Sequence, residues 1–173
     1  MAGRRRLPVE QALLGFLIEG PRHGYDLHRR LEEELGRVWY IGLSNVYGGL
    51  KRLERDGEVA SSLDPQEDRP PRKVYHITSA GRESFLDWVR QPVSSIRDVR
   101  VEFMAKLYFF RALGLEGTDE LIAAQETICQ ERIQRLDEAA AQCGGRDFDR
   151  LVFDFRRSQI EAVLKWLTSC HER

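Results

Sequence analysis

The segment SNVYGGLKRLERDGEV, residues 44–59, decides the fold because it predicts a helix with two very different faces. At about 100° per residue, Val46, Leu50 and Leu53 fall together on an apolar face that must point into a core. The remaining face carries small, polar and basic residues: Ser44, Asn45, Gly48, Lys51, Arg52 and Arg55, with Tyr47 at one edge. A helix of this kind is either a solvated surface element or one that binds another molecule.

The adjacent glycines Gly48 and Gly49 are unexpected in a helix, where each costs roughly 0.5–1 kcal/mol relative to alanine. Gly48 lies in the middle of the polar face. A bare patch there would let the helix backbone come very close to the major groove of DNA. Asn45 and Tyr47 would supply hydrogen bonds, and the cations would neutralise phosphates or reach guanine edges. The alternative is a solvated helix whose glycines only relieve crowding.

Two further helices precede this segment. Helical spacing of apolar residues predicts the first over residues 9–17 and the second from about residue 25 to residue 35. We expect Ser44 to cap the third helix and Gly57 to end it.

A β-hairpin and a fourth helix follow. The runs EVASSL (58–63) and RKVYHIT (72–78) contain β-branched and aromatic residues and predict two strands joined by a proline-bounded tip. Thr78 or Ser79 should cap a helix that runs to Pro92. Three helices followed by a hairpin are the outline of a winged helix-turn-helix.

The hairpin carries three cations beside its prolines: Arg69, Arg72 and Lys73. Such a wing can lie along a phosphate backbone or place an arginine in the minor groove. Asp64, Glu67 and Asp68 oppose this, so only the basic half should face DNA; a mobile charged loop is the alternative. The N-terminal GRRR is either a further minor-groove arm or a disordered end.

The rest of the chain is expected to be helical. Apolar stripes predict helices within residues 98–113, from about 118 to 143, and from about 147 onwards. The first of these carries Val101, Met104, Leu107 and Tyr108 on one stripe. The stripe of the last helix exceeds what a small domain can bury, so we expect homodimerisation through Phe148, Val152, Phe155, Ala162 and Trp166.

The expected fold class is therefore mainly α with a small β-hairpin. A winged helix-turn-helix DNA-binding domain would occupy residues 1–91, and a helical dimerisation and effector-response domain residues 92–173. Two recognition helices about 34 Å apart would face a palindrome.

Bulk composition restricts the class of protein. The 173 residues include 27 Lys and Arg against 28 Asp and Glu, so no overall basic field indicates nucleic acid or membrane. Any DNA contact must come from local placement of charge. No signal peptide and no membrane span is predicted, and we expect a cytoplasmic protein.

Three other functions compete with DNA binding. The histidines form no metal-spaced cluster and there is no phosphate loop or nucleophile elbow, so we expect no enzyme, catalytic residue, metal or cofactor. The cysteines Cys129, Cys143 and Cys170 are expected to be buried reduced thiols. A thiol-based redox sensor would use Cys143, which lies near Arg146. A winged helix that binds only protein is the third alternative.

The sequence resembles the PadR family of transcriptional regulators over residues 13–89. The resemblance rests on LLGFLIEGPRHGYDLHRRLEEELG, LSNVYGGLKRLERDGEV and RKVYHITSAGRESFLDWV, in which HGYDL and YHITSAG are jointly specific. It implies a homodimeric repressor of double-stranded DNA with a helical C-terminal dimerisation region. Family members often carry proline or a larger residue at Gly48 and Gly49, so the DNA sequence preference does not transfer.

The resemblance also implies roles for single residues. Tyr47 matches the family tyrosine of the recognition helix, which contacts backbone phosphate, and Lys51, Arg52, Arg72 and Lys73 match basic positions. It further implies a small aromatic or lipophilic effector, for which a pocket between the domains would be lined by Trp39, Trp88, Phe103 and Tyr108. Core packing is the alternative role for each of these four.

Overall fold

The N-terminal half is built from three helices and a small antiparallel sheet. The computed structural model describes residues 8–66, 69–142 and 147–171. In chain order the first elements are α1 (Val9–Ile18), β1 (Arg22–His23), α2 (Gly24–Leu35), α3 (Leu43–Arg55), β2 (Val59–Gln66) and β3 (Arg69–Ile77). β2 and β3 form the predicted hairpin, and β1 pairs with the other edge of β3. The winged helix-turn-helix is confirmed.

The C-terminal half is helical. Its elements are α4 (Ser79–Arg90), α5 (Ile96–Asp98), a π-helical segment (Val99–Phe103), α6 (Met104–Ala112), α7 (Thr118–Gln142) and α8 (Asp147–His171). The predicted fold class, mainly α with a small β component, is confirmed. Among the helices that the structure describes, none combines the length and the apolar character needed to cross a bilayer.

Helix ends follow local hydrogen bonding. The prediction that Ser44 caps α3 is wrong: Gly42 is the N-cap, and its carbonyl accepts from the Asn45 N–H at 2.9 Å. Gly57 follows the end of α3 with a φ of 76°, a left-handed conformation that favours glycine. Thr78 caps α4, because its Oγ1 accepts from the Gly81 N–H at 3.1 Å.

α1 is the centre of the core. Its residues from Val9 to Leu17 are buried except Glu10 and Gln11, so this helix is covered by neighbours on most sides. Against its inner side pack Val46, Leu50 and Leu53 of α3, all buried as predicted. At Gly15 an added Cβ would lie 2.5 Å from the Phe109 ring, so α6 and α1 are in close contact. α1 therefore connects the helix-turn-helix to the C-terminal half.

In the helix predicted within residues 98–113, the buried face is not the apolar stripe that the sequence indicated. The stripe lies on the more exposed face, where Met104 is exposed and Leu107 half-buried. Phe103, Lys106 and Phe110 are buried instead. The π-helical turn at Val99–Phe103 changes the helical repeat, which a wheel of constant angle does not represent.

Candidate nucleic-acid interface

α3 turns its polar side outward. Its buried apolar side fixes the helix against α1, so the residues opposite are left on the surface. Exposed there are Ser44, Asn45, Tyr47, Lys51 and Arg55, and Gly48 is half-buried among them. These six residues are called the recognition face below. The structure thus brings together most of the α3 residues predicted to contact DNA.

The two glycines of α3 have different surroundings. A Cβ on Gly49 would lie 3.1 Å from Leu13 Cδ1 and 3.5 Å from Val9 Cγ1, so Gly49 allows α3 to approach α1 closely. A Cβ on Gly48 would meet only the Arg52 guanidinium, at 3.3 Å. Gly48 is therefore the bare position of the recognition face, whereas Gly49 serves helix packing.

Arg52 does not belong to the recognition face in this structure. Its Nε donates to Glu10 Oε1 at 2.6 Å, and Nη2 lies 2.6 Å from the same oxygen. The side chain is directed towards the start of α1. The residue predicted to face DNA is here an internal ion-pair partner.

The wing is tied to α3 by Glu54. Lys73 Nζ donates to both oxygens of Glu54, at 2.7 and 2.9 Å, and the Ser61 hydroxyl donates to the same carboxylate. The bond from Lys73, then that from Ser61, lowers the pKa of Glu54, and the same bond to Glu54 raises the pKa of Lys73. Lys73 also lies 5.5 Å from the centre of the Tyr75 ring. These contacts fix the base of the hairpin on the recognition helix.

The other predicted cations differ in how far they are neutralised. Arg55 donates to Asp56 at 2.8 and 3.0 Å. Lys51 and Arg72 are exposed and form no ion pair with any residue that the structure describes. Arg69 pairs with Gln66 in the sheet register, but its side chain lies outside the described part. The GRRR segment, Glu67 and Asp68 also lie outside the described residues.

The sequence did not predict that the start of α2 adjoins this surface. An open cavity of about 510 Å3, a concave part of this surface, is lined by His23, Tyr25, Tyr47, Arg72 and Lys73. The backbone N–H groups at the start of a helix attract anions, so this end of α2 adds positive potential. The sequence could hardly indicate this contact, because β1, the strand that holds the start of α2 beside β3, has only two residues.

Gly24 makes this arrangement possible. A Cβ at Gly24 would lie 2.6 Å from Cε1 of Tyr47, so the phenol ring of Tyr47 rests on the bare first residue of α2. Tyr47 is thereby held between two helices while about half of its surface stays exposed. Packing against the start of α2 therefore fixes the position of the Tyr47 ring.

The four predicted effector residues do not line one cavity. Phe103 and Trp39 have exposures of 0% and 8% and belong to the core. Trp88 donates its indole N–H to Glu102 at 2.9 Å and lines a groove of about 460 Å3 with Pro92 and Lys106. Tyr108 packs edge-on against Phe16. The structure therefore does not bring these four residues together around one cavity, because Phe103 and Trp39 belong to the core.

The predicted dimerisation residues divide into two groups. Phe148 and Phe155 are among the exposed large apolar residues, Ala162 is exposed and Val152 is half-buried. Trp166 is half-buried and packs edge-on against Phe103 of its own chain, with ring centroids 6.2 Å apart.

Of the two cysteines that the structure describes, Cys129 does not resemble a reactive thiol. Cys129 is fully buried, and burial raises the pKa of its thiol, which disfavours the nucleophilic thiolate. Cys170 is half-buried. Cys143, the residue proposed for redox sensing, lies outside the described residues.

Two family models and several known proteins match this chain. The model of the "Transcriptional regulator PadR-like family" matches residues 13–87, and that of "Virulence activator alpha C-term" matches residues 99–173. The "Negative transcriptional regulator PadR" of Bacillus subtilis is 32% identical over 132 residues, which cover 75% of this chain and 70% of that protein. A "Probable transcriptional regulator" of Mycobacterium tuberculosis is 31% identical over 144 residues, covering 76% and 72%.

Among solved structures, that of Bacillus subtilis PadR in complex with operator DNA is 26% identical, with a TM-score of 0.49 and coverage of 94% of this chain and 96% of that one. The family match across the helix-turn-helix and wing, together with the identity to the curated Bacillus regulator, shows that the chain belongs to the PadR-like family of transcriptional regulators.

Proposed function

We propose that this protein is a repressor that binds a two-fold symmetric operator in double-stranded DNA as a homodimer. Residues 1–91 would bind DNA, and residues 92–173 would dimerise and respond to an effector. The negative regulator of Bacillus subtilis at 32% identity supports repression. The observation that carries DNA binding is the recognition face, whose bare centre is flanked by a tyrosine and an unpaired lysine.

The recognition face fits the major groove in size and chemistry. The groove admits an α-helix, and its base edges offer acceptors and donors to polar side chains. Ser44, Asn45 and Lys51 would approach the bases, because Gly48 removes the side chain that would hold the backbone away. Tyr47 and Arg55, at the edges, would contact phosphates and set the register.

The wing would supply further backbone contacts. Arg72 lies on the same concave surface as Tyr47, so strand β3 and α3 can face one duplex together. Arg69 would extend the contact along the phosphates. Arg52 and Lys73 are bound to Glu10 and Glu54, and they would reach DNA only by leaving those partners.

Dimerisation would raise the DNA affinity, because one protomer makes few contacts with DNA. The net charge of −1 gives no general attraction to DNA, and one recognition helix reaches only a few base pairs. Two linked copies convert the second contact into an intramolecular event and raise the overall affinity. Helices about 34 Å apart, one DNA turn, would read a palindrome.

Regulation by a small aromatic or lipophilic molecule is part of the proposal. The groove beside Trp88 lies between α4, the last helix of residues 1–91, and the segments that follow it, namely α5, the π-helical segment and α6. A ligand there could change how the two halves meet. Release of DNA by the ligand is the expected direction for a repressor.

The test is DNA binding by fluorescence anisotropy, using a labelled duplex from the region upstream of the protein's own gene. Tyr47→Ala and Arg72→Ala should each weaken binding about tenfold or more, because single contacts are worth about 1–3 kcal/mol. The circular dichroism of both variants should stay that of the folded wild type, and Tyr47→Ala should melt at a somewhat lower temperature because it loses the packing of its ring on Gly24. Arg111→Ala, which removes an exposed cation of α6, is the matched control.

Salt dependence separates DNA binding from the protein-interaction alternative. The logarithm of the binding constant should fall linearly with the logarithm of salt concentration, with a slope of about −0.9 per neutralised phosphate. Equal affinity of all three variants, or binding that does not respond to salt, would contradict the proposal. Adding hydrophobic compounds to the same assay tests the effector.

A further inference from the structure

An open cavity lined by arginines lies between α5, the π-helical segment, α7 and α8. Its volume is about 890 Å3, and none of the described residues that line it is acidic. A cleft whose charges have one sign concentrates ions of the other sign. The arginines that line this cavity, called the cationic cavity below, are Arg97, Arg100, Arg132, Arg135 and Arg156.

Most of these arginines are not neutralised within the chain. Arg135 binds Glu131 at 2.7 Å, whereas the other four form no ion pair with any residue in the described ranges. Glu102, two positions after Arg100, lies 3.1 Å from Lys106 and is used there. Guanidinium groups gathered around one cavity repel each other, so an anion that enters the cavity relieves this repulsion.

A second cavity, of about 740 Å3, adjoins the first and is mainly apolar. Both cavities include Ile96 and Arg100. Met104 and Trp166 contribute to the apolar walls of the second one, which is called the apolar cavity below. It also reaches Val38, in the connection between α2 and α3. Both halves of the chain therefore bound the apolar cavity.

The two cavities together suit a ligand with two unlike ends. Small-molecule sites usually have volumes of about 300–1,000 Å3, and each cavity lies in this range. An acyl chain in the apolar cavity would be removed from water, which favours binding. Guanidinium groups match phosphate oxygens in charge and in bidentate geometry. A single carboxylate would leave most of the arginines unpaired, so a head group with several phosphates fits better.

The arginines that would hold the head group come mainly from outside α8. Arg97 lies on α5, Arg100 on the π-helical segment, and Arg132 on α7. Of the residues predicted to dimerise, Phe155 is the one that lines the cationic cavity. One chain therefore supplies most of the head-group site, whichever surface of α8 the second copy covers.

We propose that the two cavities form a binding site for an amphipathic anion of the acyl-coenzyme A class, with its phosphates among the arginines of the cationic cavity and its acyl chain in the apolar cavity. This site goes beyond the effector groove of the proposed function. Among the described residues, the groove beside Trp88 shares Arg97 and Val101 with the cationic cavity and none with the apolar cavity.

Isothermal titration calorimetry with palmitoyl-coenzyme A, below the concentration at which it forms micelles, tests the site on the full chain without DNA. Coenzyme A and palmitate each supply one end of the ligand. Each should bind about tenfold or more weakly than palmitoyl-coenzyme A, because linking two contacts raises the overall affinity. Palmitate that binds as tightly as palmitoyl-coenzyme A would overturn the assignment of the arginines to a phosphate head group.

Two variants separate the two ends. Arg132→Gln should weaken the binding of both palmitoyl-coenzyme A and coenzyme A about tenfold, because it removes a charge-assisted hydrogen bond. Met104→Gln, at an exposed position of the apolar cavity, should weaken palmitoyl-coenzyme A several-fold and leave coenzyme A unchanged. Arg111→Gln removes an exposed cation of α6 that lines neither cavity, and it is the matched control.

Two results of the titrations would overturn the inference: no binding of palmitoyl-coenzyme A, or an equal loss of affinity in Arg132→Gln and Arg111→Gln. Sedimentation velocity should give Arg132→Gln the same oligomeric state as wild type. A variant that loses a wild-type dimer would assign the arginines to the contact between copies and would also overturn the inference. None of these measurements involves DNA, so the proposed function stands or falls by its own test.

Discussion

Arg52 turns away from the recognition face and binds Glu10, its Nε donating to Oε1 at 2.6 Å. The guanidinium passes over the paired glycines: its Nη1 would be 3.3 Å from a Cβ on Gly48, and its Nη2 3.9 Å from one on Gly49. The glycines therefore give Arg52 a path across α3 to the start of α1. In this position the carboxylate of Glu10 neutralises the charge of Arg52.

Glu10→Gln should release Arg52. The free energy of unfolding should change by less than about 1 kcal/mol, because both partners are partly exposed to solvent. DNA affinity should rise, and the salt slope should steepen by up to about 0.9 if the freed guanidinium binds a phosphate. Anisotropy titrations at several salt concentrations measure both quantities. Glu138→Gln on α7 is the control, and an unchanged slope would show that Arg52 has no part in DNA binding.

Gly48 and Gly49 should respond oppositely to the same substitution. Gly49→Leu should destabilise the fold by about 1–3 kcal/mol, because the new side chain must enter the packed space beside Leu13 and Val9. Gly48→Leu should change stability by less than about 1 kcal/mol, because the gain in helix propensity is offset by the shift of the Arg52 guanidinium, which lies 3.3 Å from the new Cβ. It should weaken DNA binding by holding the helix off the groove. Urea denaturation and anisotropy separate the two effects. Normal operator binding by Gly48→Leu would show that the role assigned to Gly48 is wrong.

The sequence predicted the elements whose patterns are local. The period of Val46, Leu50 and Leu53 placed the inner face of α3 correctly, because burial of an amphipathic helix depends on spacing within the helix. The turn at Gly57 and the cap at Thr78 were also predictable, since each needs one residue type in one conformation.

Features set by distant contacts were not predictable. The ion pair of Arg52 joins residues 42 positions apart, and nothing near Arg52 in sequence indicates that it leaves the polar face. β1 has two residues, too few for any alternation. Lys106 is placed in the core by partners that the fold brings to it, the Gln91 carbonyl and the Trp88 ring.

Glu54 should make the wing sensitive to acid. Because bonds from Lys73 and Ser61 hold its pKa below the ordinary value of about 4.5, the folded chain gains stability above that value and loses it as pH falls through the lowered pKa. Glu54→Gln should therefore be less stable than wild type at neutral pH, by less than about 1 kcal/mol for this partly exposed pair. The difference in stability between wild type and Glu54→Gln should disappear in acid. Urea unfolding at both pH values measures it, and a gap that stays constant would contradict the assignment.

Lys106 should make stability depend on pH at the alkaline end, with the same sign as Glu54. The residue is 1% exposed; its Nζ donates to the Gln91 carbonyl at 2.7 Å, lies 3.1 Å from Glu102 and sits 4.9 Å from the Trp88 ring centre. Burial lowers the pKa of this amine below its ordinary value of about 10.5. Between the two values the unfolded chain binds more protons, so this group makes the fold more stable as pH rises.

Lys106→Met should remove that gain. Burial raises the pKa of Tyr75 and Tyr108, so these two groups lower the stability of the fold as pH rises. They do so equally in wild type and in Lys106→Met. The difference in stability between the two proteins therefore reports on the lysine alone. Thermal melts from neutral pH to about pH 10.5 should show wild type gaining stability relative to Lys106→Met. The exposed Lys165→Met should run parallel to wild type. A constant difference between wild type and Lys106→Met would mean that the amine keeps its ordinary pKa despite its burial.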